Sequence, residues 1–182
     1  MEVLTMRTKI KTTKKQIVDY WDTHADESDL SIDFSEADKR CWRCGCKRHL
    51  QRCHIIPDSL GGKDEPSNFV LLCSRCHLDN PNVADKEIMW DWLKSYAVPF
   101  YDTFWIDQGY EEYEKIYSIS ITDELKKRNI FEKSELKRFN DIFEKQCKNA
   151  SYHFGDPHFN IATIAGILRM SFKEWDRNQK NV

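Results

Sequence analysis

A chain of 182 residues with 40% hydrophobic and 13% aromatic content is long enough for one compact domain with extensions, or for a small domain and a helical partner. No stretch approaches the ~18–20 consecutive apolar residues that cross a membrane, and the opening MEVLTMRTKIKTTKKQ carries neither an apolar run nor a small-residue cleavage site, which argues against a signal peptide and for a cytoplasmic protein. The formal net charge of −2 excludes no partner by itself; what matters is where the charges fall.

In chain order, residues 1–12 are basic and Thr-rich and read as a loose arm carrying Arg7, Lys9 and Lys11, continued by Lys14 and Lys15. Thr12 or Thr13 caps a helix expected over Lys14–His24, where Ile17, Tyr20, Trp21 and His24 recur at helical spacing. Asp26–Asp29 is an acidic break. Ser31–Glu36 alternates polar and apolar residues (Ile32, Phe34) and is expected to be a short strand or extended lead-in. Leu50–Pro57 and Asn68–Leu72 read as two strands, with Pro57, Gly61, Gly62 and Pro66 punctuating the loop between them. Cys73–Leu78 reads as a turn that opens a short helix, which Pro81 interrupts or ends. Asp85–Tyr96 is predicted to be an amphipathic helix with Ile88, Trp92 and Leu93 on one face. Pro99–Tyr117 is aromatic and acidic, and helices are expected near Thr122–Arg128, Ser134–Lys148 and Ile161–Trp175. The C-terminal half balances 14 acidic against 13 basic residues from Val98 onward, so it shows no electrostatic footprint for nucleic acid.

The charge that does stand out is local. Ala37–Asn80 holds eight Lys and Arg against five acids, a balance of +3 over 44 residues, and six of the eight lie between Lys39 and Arg52. Such a cluster suits a phosphate backbone, although a solvated surface gives the same pattern.

The same segment holds six of the seven cysteines. Cys41-Trp-Arg-Cys44 and Cys73-Ser-Arg-Cys76 are two C-x-x-C pairs separated by 28 residues. Two thiolates at that spacing share one tight knuckle, and two knuckles complete a tetrahedral four-thiolate site, the closed geometry of structural zinc. Cys46 offers an alternative ligand, as does His77 in place of Cys76. A full thiolate shell leaves no position for water, so this zinc explains stability and not chemistry. The segment it closes is too small to fold on its own core alone.

Between and beside the knuckles lie Arg52-Cys-His-Ile-Ile-Pro57, Gly61-Gly62, Ser67-Asn-Phe-Val-Leu-Leu-Cys73 and Ser74-Arg-Cys-His77. In order and spacing these strings resemble the HNH endonuclease family over about 40 residues. The resemblance implies a small zinc-stapled ββα-metal unit, and with the N-terminal helix and the helical C-terminal accessory region read from periodicity it gives an α+β fold. It divides the chain into a basic arm and helix (1–36), the HNH domain with its following helix (37–97) and the accessory region (98–182). It implies that His54 is the general base, that Asn68 fixes the first strand and the imidazole, and that His77 ligates a single catalytic divalent metal, Mg²⁺ or a transition metal such as Mn²⁺ or Ni²⁺. The expected partner is DNA, double-stranded, cut to 5′-phosphate and 3′-hydroxyl ends in a setting such as restriction, phage defence or a mobile element. Arg43, Lys47, Arg48, Arg52, Lys63 and Arg75 are the candidate phosphate contacts.

One position departs from the family pattern. The residue before the base, ordinarily Asp or His and a second metal ligand, is Cys53. It is read as a spectator with Asp58, Asp79 or Asn80 supplying oxygen, as a soft ligand favouring a transition metal, or as the mark of a disabled site. The remaining sequence expectations are that Trp42 packs over the first knuckle and that His49 lies at the surface. Sequence specificity would come from the C-terminal helices, a homodimer or a partner subunit. Against the nuclease stands a zinc-stapled module that grips nucleic acid without cutting. A third possibility is an effector whose aromatic Trp90–Tyr117 segment docks a partner, although bulky residues at helical spacing are more often core.

Overall fold

A computed structural model describes residues 9–153, 155 and 157–180. Arg7 of the basic arm lies outside the described residues. The chain divides into two compact units, one reaching to Phe104 and the other starting at Trp105.

In the first unit, helix α1 spans Lys14–Trp21 and opens with a reciprocal capping box. Thr13 Oγ1 accepts from the Gln16 amide at 3.3 Å while Gln16 Oε1 accepts from the Thr13 amide at 2.8 Å. The helix stops three residues short of the expected His24. Thr23 Oγ1 and His24 Nδ1 both turn back onto the Tyr20 carbonyl, at 3.0 and 2.7 Å, so side chains take the place of a further helical turn. Ser31–Glu36 is not a strand. Two 3₁₀ turns, Glu27–Asp29 and Phe34–Glu36, are each opened by an aspartate that accepts a backbone amide two residues on: Asp26 from Ser28 at 2.9 Å and Asp33 from Ser35 at 2.8 Å. Ile32 and Phe34 are buried all the same, and the Phe34 ring meets Trp42 edge-on at 5.7 Å.

Strands β1 (Leu50–His54) and β2 (Phe69–Cys73) form an antiparallel hairpin in the register Leu50↔Cys73 to His54↔Phe69. Every residue of β2 is buried, as expected of an apolar run with no polar alternation. β1 ends at His54, before Pro57, because the ladder gives way to Asn68: its carbonyl accepts from the Ile55 amide and its side chain from the Ile56 amide, both at 2.9 Å. Pro66–Asn68 is itself a 3₁₀ turn, which delays β2 to Phe69. Helix α2 (Ser74–Leu78) follows β2 directly, and α3 (Lys86–Ser95) starts behind an Asp85 cap. The inward face of α3 is Met89 and Leu93; Ile88, expected inside, is 42% exposed. Trp21 of α1 packs against Trp90 of α3 at 4.5 Å and donates its indole N–H to the Phe69 carbonyl at 2.8 Å.

The second unit is helical. Helix α4 spans Phe104–Tyr117, its first residue still in the first unit, and α5 (Ile121–Lys127), α6 (Lys133–Cys147) and α7 (Ile161–Lys180) follow. Their core includes Tyr113, Ile130, Phe139, Ala165, Phe172 and Trp175. Sequence periodicity did not reveal α4, since the residues it buries beyond Phe104 are only Gly109 and Tyr113. Gly109 is there for space: a Cβ at that position would lie 2.3 Å from Ile164 Cγ2 of α7. The aromatic Trp90–Tyr117 segment is split between roles, with Phe104 and Tyr113 in cores and Phe100 71% exposed. Among the described residues no helix is long and apolar enough to cross a membrane.

Candidate functional site

The four C-x-x-C thiols converge. The sulfurs of Cys41, Cys44, Cys73 and Cys76 are buried and lie within 4.8 Å of one another, with Cys44 and Cys73 at 4.0 Å. Sulfurs about 2.3 Å from a tetrahedral zinc are about 3.8 Å apart, so the donor set and its spacing are compatible with structural zinc. Hydrogen bonds from neighbouring thiols, Cys41 first, hold the Cys44 thiol well below the ordinary thiol range. The first knuckle is closed by the Gly45 amide donating to the Cys41 carbonyl at 2.8 Å and the Cys41 amide to the Cys46 carbonyl at 3.1 Å. Gly45 adopts φ +64°, and a Cβ there would also meet the Ser31 carbonyl at 2.9 Å, so the position requires glycine on two counts. The alternative ligands are elsewhere: Cys46 donates its S–H to the Cys44 carbonyl at 3.4 Å, and His77 stands outside the thiol cluster. Trp42 is fully buried, tied to the Ala37 carbonyl at 3.0 Å.

The hairpin and α2 carry the three residues expected to perform chemistry. His54 ends β1, half-buried, its ring 4.4 Å from that of Phe69. Burial lowers its pKa, only partly opposed by the charges of Asp58 and Asp64, so the imidazole is neutral at pH 7. Asn68 is buried, and its side chain bonds to the backbone of the loop and not to that ring. It ties the loop beyond β1: Oδ1 accepts from the Ile56 amide, and Nδ2 donates to the carbonyls of Ile56 and Lys63, each at 3.0 Å. Gly62 makes this possible, since a Cβ there would lie 1.8 Å from the Ile56 carbonyl and 2.7 Å from Asn68 Nδ2.

His77, on α2 directly after the last thiol of the staple, is half-buried. Burial first, then the proximity of His54, lowers its pKa. Its Nδ1 lies 2.7 Å from Gln51 Oε1. An amide oxygen only accepts, so Nδ1 carries the proton and Nε2 keeps its lone pair, the tautomer a metal ligand needs. Gln51 was not foreseen; a polar residue on the exposed side of a strand gives no signal of this kind.

The possible oxygen donors separate. Asp79 pairs with Arg43 at 2.9 Å, and Asn80 Nδ2 turns to the Pro81 carbonyl at 2.9 Å, whereas Asp58 is exposed and close enough for its charge to act on His54. Cys53 is 1% exposed, its thiol directed at the His54 carbonyl at 3.6 Å, and burial pushes its pKa up to about 12. It is a protonated thiol at neutral pH.

The basic residues divide in the same way. Lys47 and Lys63 are exposed, and Arg48 and Arg75 are half-buried and engaged within the protein. Arg52 Nη1 donates to the carbonyls of Ile10 and Thr12 at 3.3 and 2.8 Å. Asp64 completes this clip by accepting the Lys11 and Thr12 amides at 2.7 and 3.1 Å. The arm at residues 10–12 is therefore fastened to β1 by Arg52 and to the loop between the strands by Asp64. Arg43 is inside the protein, 6% exposed, and the phosphate contact expected of it does not fit that placement. His49 is exposed, as expected.

A short hairpin and helix closed by four thiols, with one histidine at the strand end and another on the helix, define a thiolate-stapled ββα unit. Residues 40–82 match the family model described as HNH endonuclease, so this unit is an HNH domain, the kind found in nucleases and other proteins that act on nucleic acids. No curated protein and no solved structure matches the chain.

Proposed function

We propose that the protein is a metal-dependent endonuclease that hydrolyses DNA phosphodiester bonds to 5′-phosphate and 3′-hydroxyl ends. The observation that carries this reading is the pair of half-buried histidines in prepared states: His54 neutral by burial, and His77 with Nε2 freed by the Gln51 bond. His54 accepts a proton from a water molecule as that water's oxygen forms a bond to phosphorus and the 3′ oxygen departs. Asn68 acts at one remove, fixing the backbone just beyond His54 so that the imidazole keeps its place at the strand end. A divalent cation on His77 Nε2, with Asp58 beside His54 a candidate oxygen donor, would neutralise charge on the phosphate and the leaving oxygen.

DNA would lie along the exposed lysines. Lys63 extends from the loop that Asn68 anchors by its carbonyl, and the clip made by Asp64 sets Lys11 beside it. Lys47 lies on the first knuckle, and Lys9 precedes the clip. Phosphate contacts of this kind position a duplex without reading its sequence. Restriction, phage defence or mobile-element activity are the settings this chemistry serves.

Cleavage of supercoiled plasmid in EDTA, Mg²⁺, Mn²⁺ and Ni²⁺, with His54→Ala beside the natural protein, tests the proposal. Metal-dependent cutting that is lost in His54→Ala supports it; cutting that persists in His54→Ala overturns the assignment of the base. One observation favours a second reading, a stapled module that binds DNA without cutting: a buried, protonated Cys53 stands where an oxygen ligand is expected. That reading requires DNA retention indifferent to divalent metal and to His54.

A further inference from the structure

The even charge balance from Val98 onward conceals a local excess. Residues 126–138 hold six Lys and Arg against two acids, a balance of +4 over 13 residues, whereas Ala37–Asn80 reaches only +3 over 44. The rest of the accessory region is acidic, with seven basic residues against twelve acids. The 13 residues cover the end of α5, a turn and the first part of α6.

This corner is fixed from within. The Ile130 amide donates back to the Leu125 carbonyl at 3.0 Å, Asn129 takes the left-handed conformation at φ +53°, and Ile130 is buried. Arg128 donates to both oxygens of Asp176, at 2.7 and 2.9 Å, and also meets Glu124. Carboxylates of α5 and α7 are thereby committed to an arginine whose own side chain is 10% exposed. Glu135 turns back as well, its Oε2 accepting the Phe131 and Glu132 amides at 3.3 and 3.2 Å.

The outward charge is therefore positive. Lys127, Lys133, Lys137 and Arg138 are exposed, and the exposed acids Glu132 and Asp141 offset them only in part. Lys126 pairs with Asp123 at 3.4 Å, but among the described residues Lys127, Lys133 and Lys137 form no ion pair. Lys133 and Lys137 lie one helical turn apart on the same face, where like charges repel. Arg138 rests over the Trp175 ring at 5.0 Å, which steadies it without covering it. Phe131 and Leu136, 57% and 40% exposed, stand among the cations. Closely spaced phosphates relieve several such charges at once and release their counterions in doing so.

We propose that the α5–α6 corner is a second DNA-binding surface, on which Lys127, Lys133, Lys137 and Arg138 contact the phosphate backbone outside the stretch held by the HNH unit. This surface presupposes the endonuclease reading and adds affinity to it, with no part in the chemistry. Two holds within one chain reinforce each other, because the second engagement is intramolecular.

The test is fluorescence anisotropy of a labelled DNA duplex titrated with the full-length protein over a range of salt concentrations, without added divalent metal. The natural protein is compared with the triple variant Lys127→Gln, Lys133→Gln, Lys137→Gln, and with Lys126→Gln and Lys63→Gln. All of these positions are exposed, so each variant should keep the natural thermal transition. The triple variant is expected to bind more weakly and to flatten the slope of log affinity against log salt by about 2.7, at roughly 0.9 for each lost phosphate contact. Lys126→Gln, whose charge is already paired, should change the slope less than any one of the three. In plasmid cleavage the triple variant should raise KM at unchanged kcat, the mark of lost uniform binding. A triple variant equal to the natural protein in affinity and slope, while Lys63→Gln loses both, would overturn the proposal and leave the nuclease standing. Unchanged DNA binding with lost adsorption to poly-glutamate beads would assign the corner to an acidic protein and likewise overturn it. If the natural protein neither binds nor cuts DNA, the endonuclease reading itself fails and this surface fails with it.

Discussion

Gln51 Oε1 accepts the proton of His77 Nδ1 at 2.7 Å across the interface of β1 and α2. Through this one bond a strand residue decides which nitrogen of a helix histidine is free to ligate. Gln51→Leu should leave the staple intact and lower affinity for the catalytic metal by about tenfold, the lower end for loss of a ligand's supporting bond. Titration of cleavage against Mn²⁺ measures it. An unchanged metal requirement would mean that His77 is not the ligand.

His54 should set the acid limb of activity. Its folded pKa lies below the ordinary 6.5 because burial disfavours the charged ring. The base works when neutral, so cleavage should rise as pH climbs through a value below 6.5 and level off above it. His54→Ala should lose about 10²–10⁴-fold, the usual contribution of a positioned base. A rate–pH profile whose acid limb stays in place in Asp58→Asn would remove Asp58 from the neighbourhood of the imidazole; a shift to lower pH is expected, because that carboxylate raises the pKa.

The staple should discriminate among its cysteines. Cys46→Ser should retain a full equivalent of zinc, since its thiol bonds the Cys44 carbonyl and stands outside the cluster, whereas Cys76→Ser should lose metal and the unit's thermal transition. Metal content by mass spectrometry of the native protein distinguishes them. Zinc lost from Cys46→Ser would return that residue to the ligand set.

The loop beyond β1 should be intolerant at two positions for opposite reasons. Gly62→Ala places a methyl carbon against the Ile56 carbonyl and should destabilise by about 3 kcal/mol or more, the upper end for overpacking. Asn68→Ala removes three hydrogen bonds and leaves backbone groups of the loop unpaired, a loss on the order of 3 kcal/mol at roughly 1–3 for each buried group unsatisfied. Denaturant unfolding measures both. A near-neutral Asn68→Ala would show that water replaces the side chain.

The arm clip should open in acid. The Asp64 carboxyl is held below its ordinary pKa by the Lys11 amide first and by Thr12. A depressed carboxyl pKa adds stability above its unfolded value, and that contribution disappears as pH falls through the folded one. The protection of the Lys11 and Thr12 amides, measured as exchange relative to the intrinsic rate at each pH, should therefore fall in acid, and Asp64→Ala should show low protection already at neutral pH.

How far the sequence reaches is clear from particular residues. The staple and the hairpin were legible because C-x-x-C spacing admits few geometries and because Phe69–Cys73 is uniformly apolar. Ser31–Glu36 misled because its alternation reports only that Ile32 and Phe34 are buried, while the capping aspartates at positions 26 and 33 dictate tight turns. The burial of Arg43 was not legible because residue type reveals charge and not depth; the assembled Trp92, Tyr96 and Phe104 rings show that it faces inward. Gln51 and Asp64 were invisible because their partners lie 26 and 53 residues away. Helix α4 was hidden because part of its seam is a glycine.

Arg52 and Asp64 grip residues 10 and 11 through the main chain, at the Ile10 carbonyl and the Lys11 amide, and add the Thr12 carbonyl and amide. Peptide groups are the same whatever side chains they carry. Evolution can therefore rewrite positions 10 and 11 without unfastening the arm. Strand β1 and the loop beyond it form a socket that accepts exchangeable arms, and the surface beside the HNH unit can diversify while its interior stays fixed.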